Sequence, residues 1–180
     1  ARKAWDWALF TSGLIPPLVF GVAFGNLFLG VPFQFDEFKQ PHYVDGFLMS
    51  FIHLLMPFAL LTGLVSVAMH AGHGAAYLAA KTTGPVQEKA KKTIPIAYGI
   101  WLVLFIIGGI WVGKIGGFTI TSQIDPNGLS DPTAKTVIAE KGVWLRNYFA
   151  HPILFVVPLL AIISSGLTIF LSKIGRPVTA

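Results

Sequence analysis

The chain has 180 residues, of which 54% are hydrophobic and only 12% charged, about half the charged share of a soluble domain. Its mean hydropathy is +0.69 with a formal charge of +5. The basic residues are split among short connecting segments, which argues against a nucleic-acid surface and for the loop-charge bias of a membrane protein. There is no cysteine, which excludes thiol redox chemistry and cysteine metal sites.

From Trp7 to Phe33 the chain runs 27 residues without a charge. As a helix this segment is about 40 Å long, more than the ~30 Å hydrocarbon core of a bilayer. It contains Pro16-Pro17, the glycines Gly13, Gly21, Gly25 and Gly30, and one amide, Asn26. The prolines free the carbonyls of Ser12 and Gly13, which would break an isolated helix. Within a membrane, neighbouring helices re-satisfy such groups, and glycines let backbones approach. Gly13, Pro17, Gly21 and Gly25 recur every four residues as one smooth stripe, and Gly21 and Gly25 form a GxxxG pair. The segment therefore predicts a packed membrane helix, with Gly13, Pro16, Pro17, Gly21 and Gly25 as its packing residues.

The second span, Phe47–Ala80, has 34 residues with only His53, His70, His73 and Tyr77 as titratable groups. It is too long for one straight crossing, which leaves three solutions: a tilt, a kink at Pro57, or extension beyond the bilayer at its ends. The third span is Ile94–Gly113 and the fourth Ile153–Leu171. Together these predict an all-α integral membrane protein with four transmembrane helices, at about 7–33, 47–80, 94–113 and 153–171, forming one membrane domain over 1–180. The connecting segment Lys114–Ala150 opens with Gly116-Gly117 and carries the turn Asp125-Pro126-Asn127-Gly128. Asp131 as N-cap and Pro132 at the first helical position predict a short extracytoplasmic surface helix near 131–141. Ala134, Val137 and Ile138 share its face, and Gly142 ends it.

Residues 1–6, 81–93 and 172–180 carry eight Lys and Arg, against five in the much longer segments of the other side. The first group is expected to be cytoplasmic, so both ends of the chain face inward. Trp5, Trp7 and Trp111 suit interfacial anchors.

Histidines on membrane helices raise the question of haem ligation. His53 and His70, on one helix, would point about 260° apart. His70 and His73 share a face but sit near the cytoplasmic end of the second span, and His151 begins the fourth. None lies at mid-membrane. His73, beside Gly74, is the single weak candidate for cofactor binding. Asn26 reads as interhelical glue or as a polar step on a proton path. Asp6 reads as an interfacial carboxylate pairing with Arg2 or Lys3, or as a proton entry point. No charge lies within any span, which weakens a self-contained ion transporter.

Several blocks resemble subunit II of cytochrome bd-type quinol oxidases. They are Trp5-Asp6-Trp7, Pro16-Pro17, Gly21-Val22-Ala23-Phe24-Gly25-Asn26 and Gly30-Val31-Pro32-Phe33. The likeness continues through Pro57-Phe58-Ala59-Leu60-Leu61 with Gly63, then Ser66-Val67, His73-Gly74-Ala75 with Tyr77-Leu78, and Lys81-Thr82. It resumes at Gly142-Val143-Trp144-Leu145 with Asn147, and at Pro152-Ile153-Leu154 with Pro158. It covers nearly the whole chain in order.

The resemblance implies a respiratory enzyme of the bacterial inner membrane that oxidises quinol and reduces dioxygen to water. It implies that haem b and haem d lie in the partner, the haem-bearing subunit I, and not in this chain. It further implies contributions to haem-site stability and proton delivery, a structurally bound quinone, and small accessory subunits as further partners. By resemblance the chain holds helices four to seven of an eight-helix subunit. The acidic motifs of the family's N-terminal helices have no counterpart here, so four helices that straddle two bundles are not expected to stand alone. Two other classes compete: a membrane b-type cytochrome binding its own haem, and a small transporter subunit. No metal site and no nucleic-acid partner is expected.

Overall fold

The computed structural model describes residues 2–123, 125, 127–128 and 135–174. Four long apolar helices dominate it. The first, α1, spans Arg2–Leu29 and runs through Pro16 and Pro17 without interruption. The Thr11 hydroxyl donates to the Trp7 carbonyl at 2.8 Å and that of Ser12 to the Leu9 carbonyl at 2.9 Å. These hydroxyls are thus satisfied within the helix itself. The helix ends four residues before the expected Phe33. Gly30 takes a left-handed conformation, φ +82°, and its N–H bonds back to the Asn26 carbonyl at 2.9 Å. That is a glycine helix stop, reinforced by Pro32 two residues on.

Phe33 instead starts a small hairpin. Strand β1 (Phe33–Phe35) pairs antiparallel with β2 (Pro41–Tyr43), with Gln34 opposite His42. Asp36 shapes the turn, its Oδ1 accepting from the N–H groups of Phe38 and Gln40 at 2.9 and 2.8 Å, a side-chain mimic of a backbone turn.

The second apolar span is two helices, not one over 47–80. Helix α2 (Phe47–His53) stops, and α3 (Pro57–Lys81) starts anew. Pro57 has no N–H to continue a helix, and it pushes Met56 into an extended conformation (φ −62°, ψ 150°), as the residue before proline prefers. Helix α4 (Pro85–Val112) begins well before Ile94. Lys89, Lys91 and Lys92 therefore ride on its first turns, and the connection from α3 shrinks to residues 82–84.

The expected surface helix near 131–141 is corrected in part. Residues 131–134 lie outside the described residues, while Val137–Lys141 form strand β4. It pairs with β3 (Gly116–Ile120), setting Val137 opposite Ile120 and Ile138 opposite Thr119. β-branched residues facing each other suit a ladder better than a helix. The helix of this region comes later, as α5 (Val143–Ala150) after Gly142 at φ +79°. One 3-10 turn (Pro152–Phe155) leads into α6 (Val156–Lys173).

The major seams run from α1 to α3, α3 to α4 and α4 to α6. No comparable seam among the described residues closes α6 back onto α1, so the spans form an open ribbon rather than a closed bundle. Small residues set the spacing, as expected where lipid removes any hydrophobic drive between helices. Ala75, Ala79, Ala90 and Ile94 form the buried cluster of the α3–α4 seam. Phe20, Ile163 and Phe170, by contrast, are 74%, 60% and 59% exposed.

Candidate functional site

The α1–α3 seam holds the one buried amide of the spans. A methyl group on Gly21 would stand 2.7 Å from Gly63 Cα and 2.6 Å from the Thr62 carbonyl. One on Gly25 would overlap Thr62 Oγ1 and reach 2.7 Å from Ala59 Cα. Only glycine permits this approach. Directly after Gly25 comes Asn26, 5% exposed. Its Nδ2 donates to the Val22 carbonyl of its own helix at 2.9 Å and to the Leu54 carbonyl at 2.8 Å. Leu54 caps α2 at the break before Pro57. In an unbroken helix its carbonyl would accept from Phe58; here the α1 amide meets it instead.

At the same end of the ribbon four aromatic rings interlock edge to face. Phe28 lies 6.1 Å from Phe58 and 5.1 Å from Trp144, and Phe58 lies 5.9 Å from Trp111. Trp111 is thus a packing partner of Phe58 as well as a boundary residue. The Trp144 indole N–H is buried without a hydrogen-bond partner among the described residues, its Nε1 3.0 Å from where a Gly117 Cβ would stand.

The other candidates are dispersed. Gly13 has open space around it, with nothing within 4 Å of a built Cβ. Pro16 is exposed and Pro17 half-buried. Asp6 is exposed and lines an open cleft of about 330 Å³ with Lys3, Trp7 and Phe10. Ion pairs among the described residues include His42–Asp36, His53–Asp45 and Arg146–Glu140, and none of these joins Asp6 to Arg2 or Lys3.

Histidine geometry also differs from expectation. His53 and His70 stand on different helices, so their angular relation on one helix does not apply; His53 Nδ1 faces Asp45 at 3.5 Å. His70 Nδ1 donates to the Ser66 carbonyl at 2.8 Å. His73 is exposed on α3. A Cβ on Gly72 would meet the Tyr98 ring at 3.0 Å, while Gly74, beside His73, has open space. No histidine of the spans is aimed into a buried seam, and among the described residues no three His, Asp or Glu side chains converge as a metal site.

Sequence reasoning missed the Asp36–His42 pair, in which Nε2 and Oδ2 are 2.9 Å apart. The Gln40 N–H and the His42 ring, with a lesser contribution from the Phe38 N–H, hold the Asp36 carboxyl below the usual carboxylate range against an opposing effect of desolvation. A local signal existed, since an aspartate two residues before the turn centre is common turn chemistry.

The fold defines a multi-pass membrane protein whose spans meet through small residues and leave broad apolar faces uncovered. The family model for cytochrome bd terminal oxidase subunit II matches residues 1–180, and the chain belongs to that family. It is 43% identical over 175 residues to the probable cytochrome oxidase subunit 2 of Haemophilus influenzae, covering 97% of this chain and 45% of that protein. It is 39% identical over 180 residues to the cytochrome bd-I ubiquinol oxidase subunit 2 of Escherichia coli K12, covering 99% and 46%. The cytochrome bd ubiquinol oxidase subunit 2 of Bacillus subtilis is 32% identical over 101 residues. The chain thus spans less than half the length of the first two relatives.

Proposed function

We propose that the chain acts as part of subunit II of a bacterial respiratory quinol oxidase, oxidising quinol and reducing dioxygen only together with a haem-bearing subunit I. Similarity over nearly the whole chain to a protein called a ubiquinol oxidase subunit carries this reading. Haems b and d belong to the partner in this proposal, because the histidines here stand apart or are committed to local partners. The chain's task is mechanical: the uncovered apolar faces of the ribbon receive subunit I, lipid, a structural quinone and any small accessory subunits. Both ends face the cytoplasm, following the lysine bias.

Asn26 serves as interhelical glue, since its amide protons are already given to two carbonyls. Asp6 stays an exposed interfacial carboxylate at the start of α1. The test is His73→Ala in the complete two-subunit enzyme. The haem absorption bands and quinol-driven oxygen uptake are expected to match the unsubstituted enzyme. Loss of a b-type band on that substitution would transfer a haem to this chain and favour the membrane-cytochrome reading instead.

A further inference from the structure

We propose that the cleft between the first turns of α4 and the last turn of α6 binds the phosphate headgroup of an anionic phospholipid. The cleft has a volume of about 380 Å³ and is lined by Glu88, Lys91, Lys92, Pro95, Ser172 and Lys173. Three ammonium groups oppose one carboxylate there, so the cleft favours an anion.

Its depth points to lipid. On α4 the last charge is Lys92 and the apolar run starts at Ile94; on α6 the apolar run ends at Leu171 and Lys173 follows. The cleft joins the start of one helix to the end of the other, so both polar boundaries fall at one level. That is the level of the phosphate layer, where Lys side chains reach outward from helix ends. Acyl chains attached to a phosphate there would run along apolar surface already present, with Ile96 63%, Leu167 53% and Phe170 59% exposed. A free phosphate would use none of this surface.

The donors are the lysines. The Ser172 hydroxyl is engaged with the Ile169 carbonyl at 2.7 Å. Pro95, inside α4, removes the helical donor to the Lys91 carbonyl. That carbonyl can accept from a hydroxyl-bearing headgroup, which favours phosphatidylglycerol over a headgroup without hydroxyls. The proposal concerns the membrane surface of the chain and stands whether or not the complex is a quinol oxidase.

The test uses the complete subunit with its partner, reconstituted in nanodiscs of equal phosphatidylglycerol and phosphatidylethanolamine, then released into detergent. Retained lipids are counted by native mass spectrometry. A lysine held against the bound headgroup is expected to contribute about five-fold, the value of one basic residue at the membrane surface. Lys91→Gln, Lys92→Gln and Lys173→Gln are therefore each expected to lower phosphatidylglycerol retention by about that factor, and the triple variant to abolish it. Replacing the same three lysines by arginine should preserve retention, which separates lost charge from lost fold. Lys89→Gln, outside the cleft, should leave it unchanged. Equal retention in the triple glutamine variant, or an equal loss with Lys89→Gln, overturns the proposal. So does displacement of the lipid by inorganic phosphate at millimolar concentration, which would make this a free-anion site.

Discussion

The Asn26 side chain donates to the Leu54 carbonyl across 28 positions of sequence, at 2.8 Å. One amide on the first span thereby ties down the point where the next apolar stretch breaks in two. Asn26→Leu keeps the size but removes the donor and strands a carbonyl in an apolar seam. Such bonds within membranes are worth about 0.6–2 kcal/mol. The expected outcome is a destabilisation of that order in the complete subunit, with faster amide exchange confined to residues 54–58. Uniform exchange along α3 would instead mean a general loss of packing.

Steric contacts separate the glycines of α1. Gly21→Leu should force α1 away from Thr62 and Gly63, and Gly25→Leu away from Thr62 and Ala59, each costing about 1–3 kcal/mol by overpacking. Gly13→Ala, with open space around it, should shift thermal stability of the chain by less than about 0.5 kcal/mol. Thermal unfolding of the purified variants measures both. If Gly13→Ala loosened the partner subunit while leaving this chain folded, that glycine would sit at the seam between subunits.

Acid should open the first hairpin. The Asp36 carboxyl is held below its ordinary value of 3.8, so its ionised form is favoured by the folded turn. That contribution is complete above the unfolded value and is lost as pH falls through the folded one. Amide exchange at Phe38 and Gln40, read after mild acid treatment, should accelerate relative to neighbouring residues as pH drops below 3.8. Asp36→Asn should remove this acid-specific step.

Gly142 separates β4 from α5 at φ +79°. Alanine there would meet no crowding neighbour, its nearest contact being the Gly113 carbonyl at 3.7 Å, but it would pay the left-handed backbone strain of about 1–2 kcal/mol. Gly142→Ala is expected to lower thermal stability by that amount, whereas Gly116→Ala, at ordinary backbone angles in open space, is not.

Four spans were legible because long uncharged runs have no other solution in a bilayer. Their ends were less so. The lysines of α4 mark the membrane boundary, but the helix itself continues past them to Pro85. Both hairpins were invisible, since strands of three to five residues carry too little periodicity to register. Asn26 stood out by its type alone, yet its partner Leu54 could not be read, because no local rule joins a side chain to a carbonyl so distant in sequence. Two glycines flank His73, and only tertiary packing decides that Gly72 is the one that meets Tyr98.

The ribbon has a consequence for biosynthesis. Each seam links one span to the next in order of synthesis, α1 to α3, α3 to α4, α4 to α6. A helix leaving the translocon would find its main neighbour already in the bilayer, and no seam must wait for a distant segment to return. These four spans can therefore zip together in the order of their synthesis, from α1 through α3 and α4 to α6, during translation.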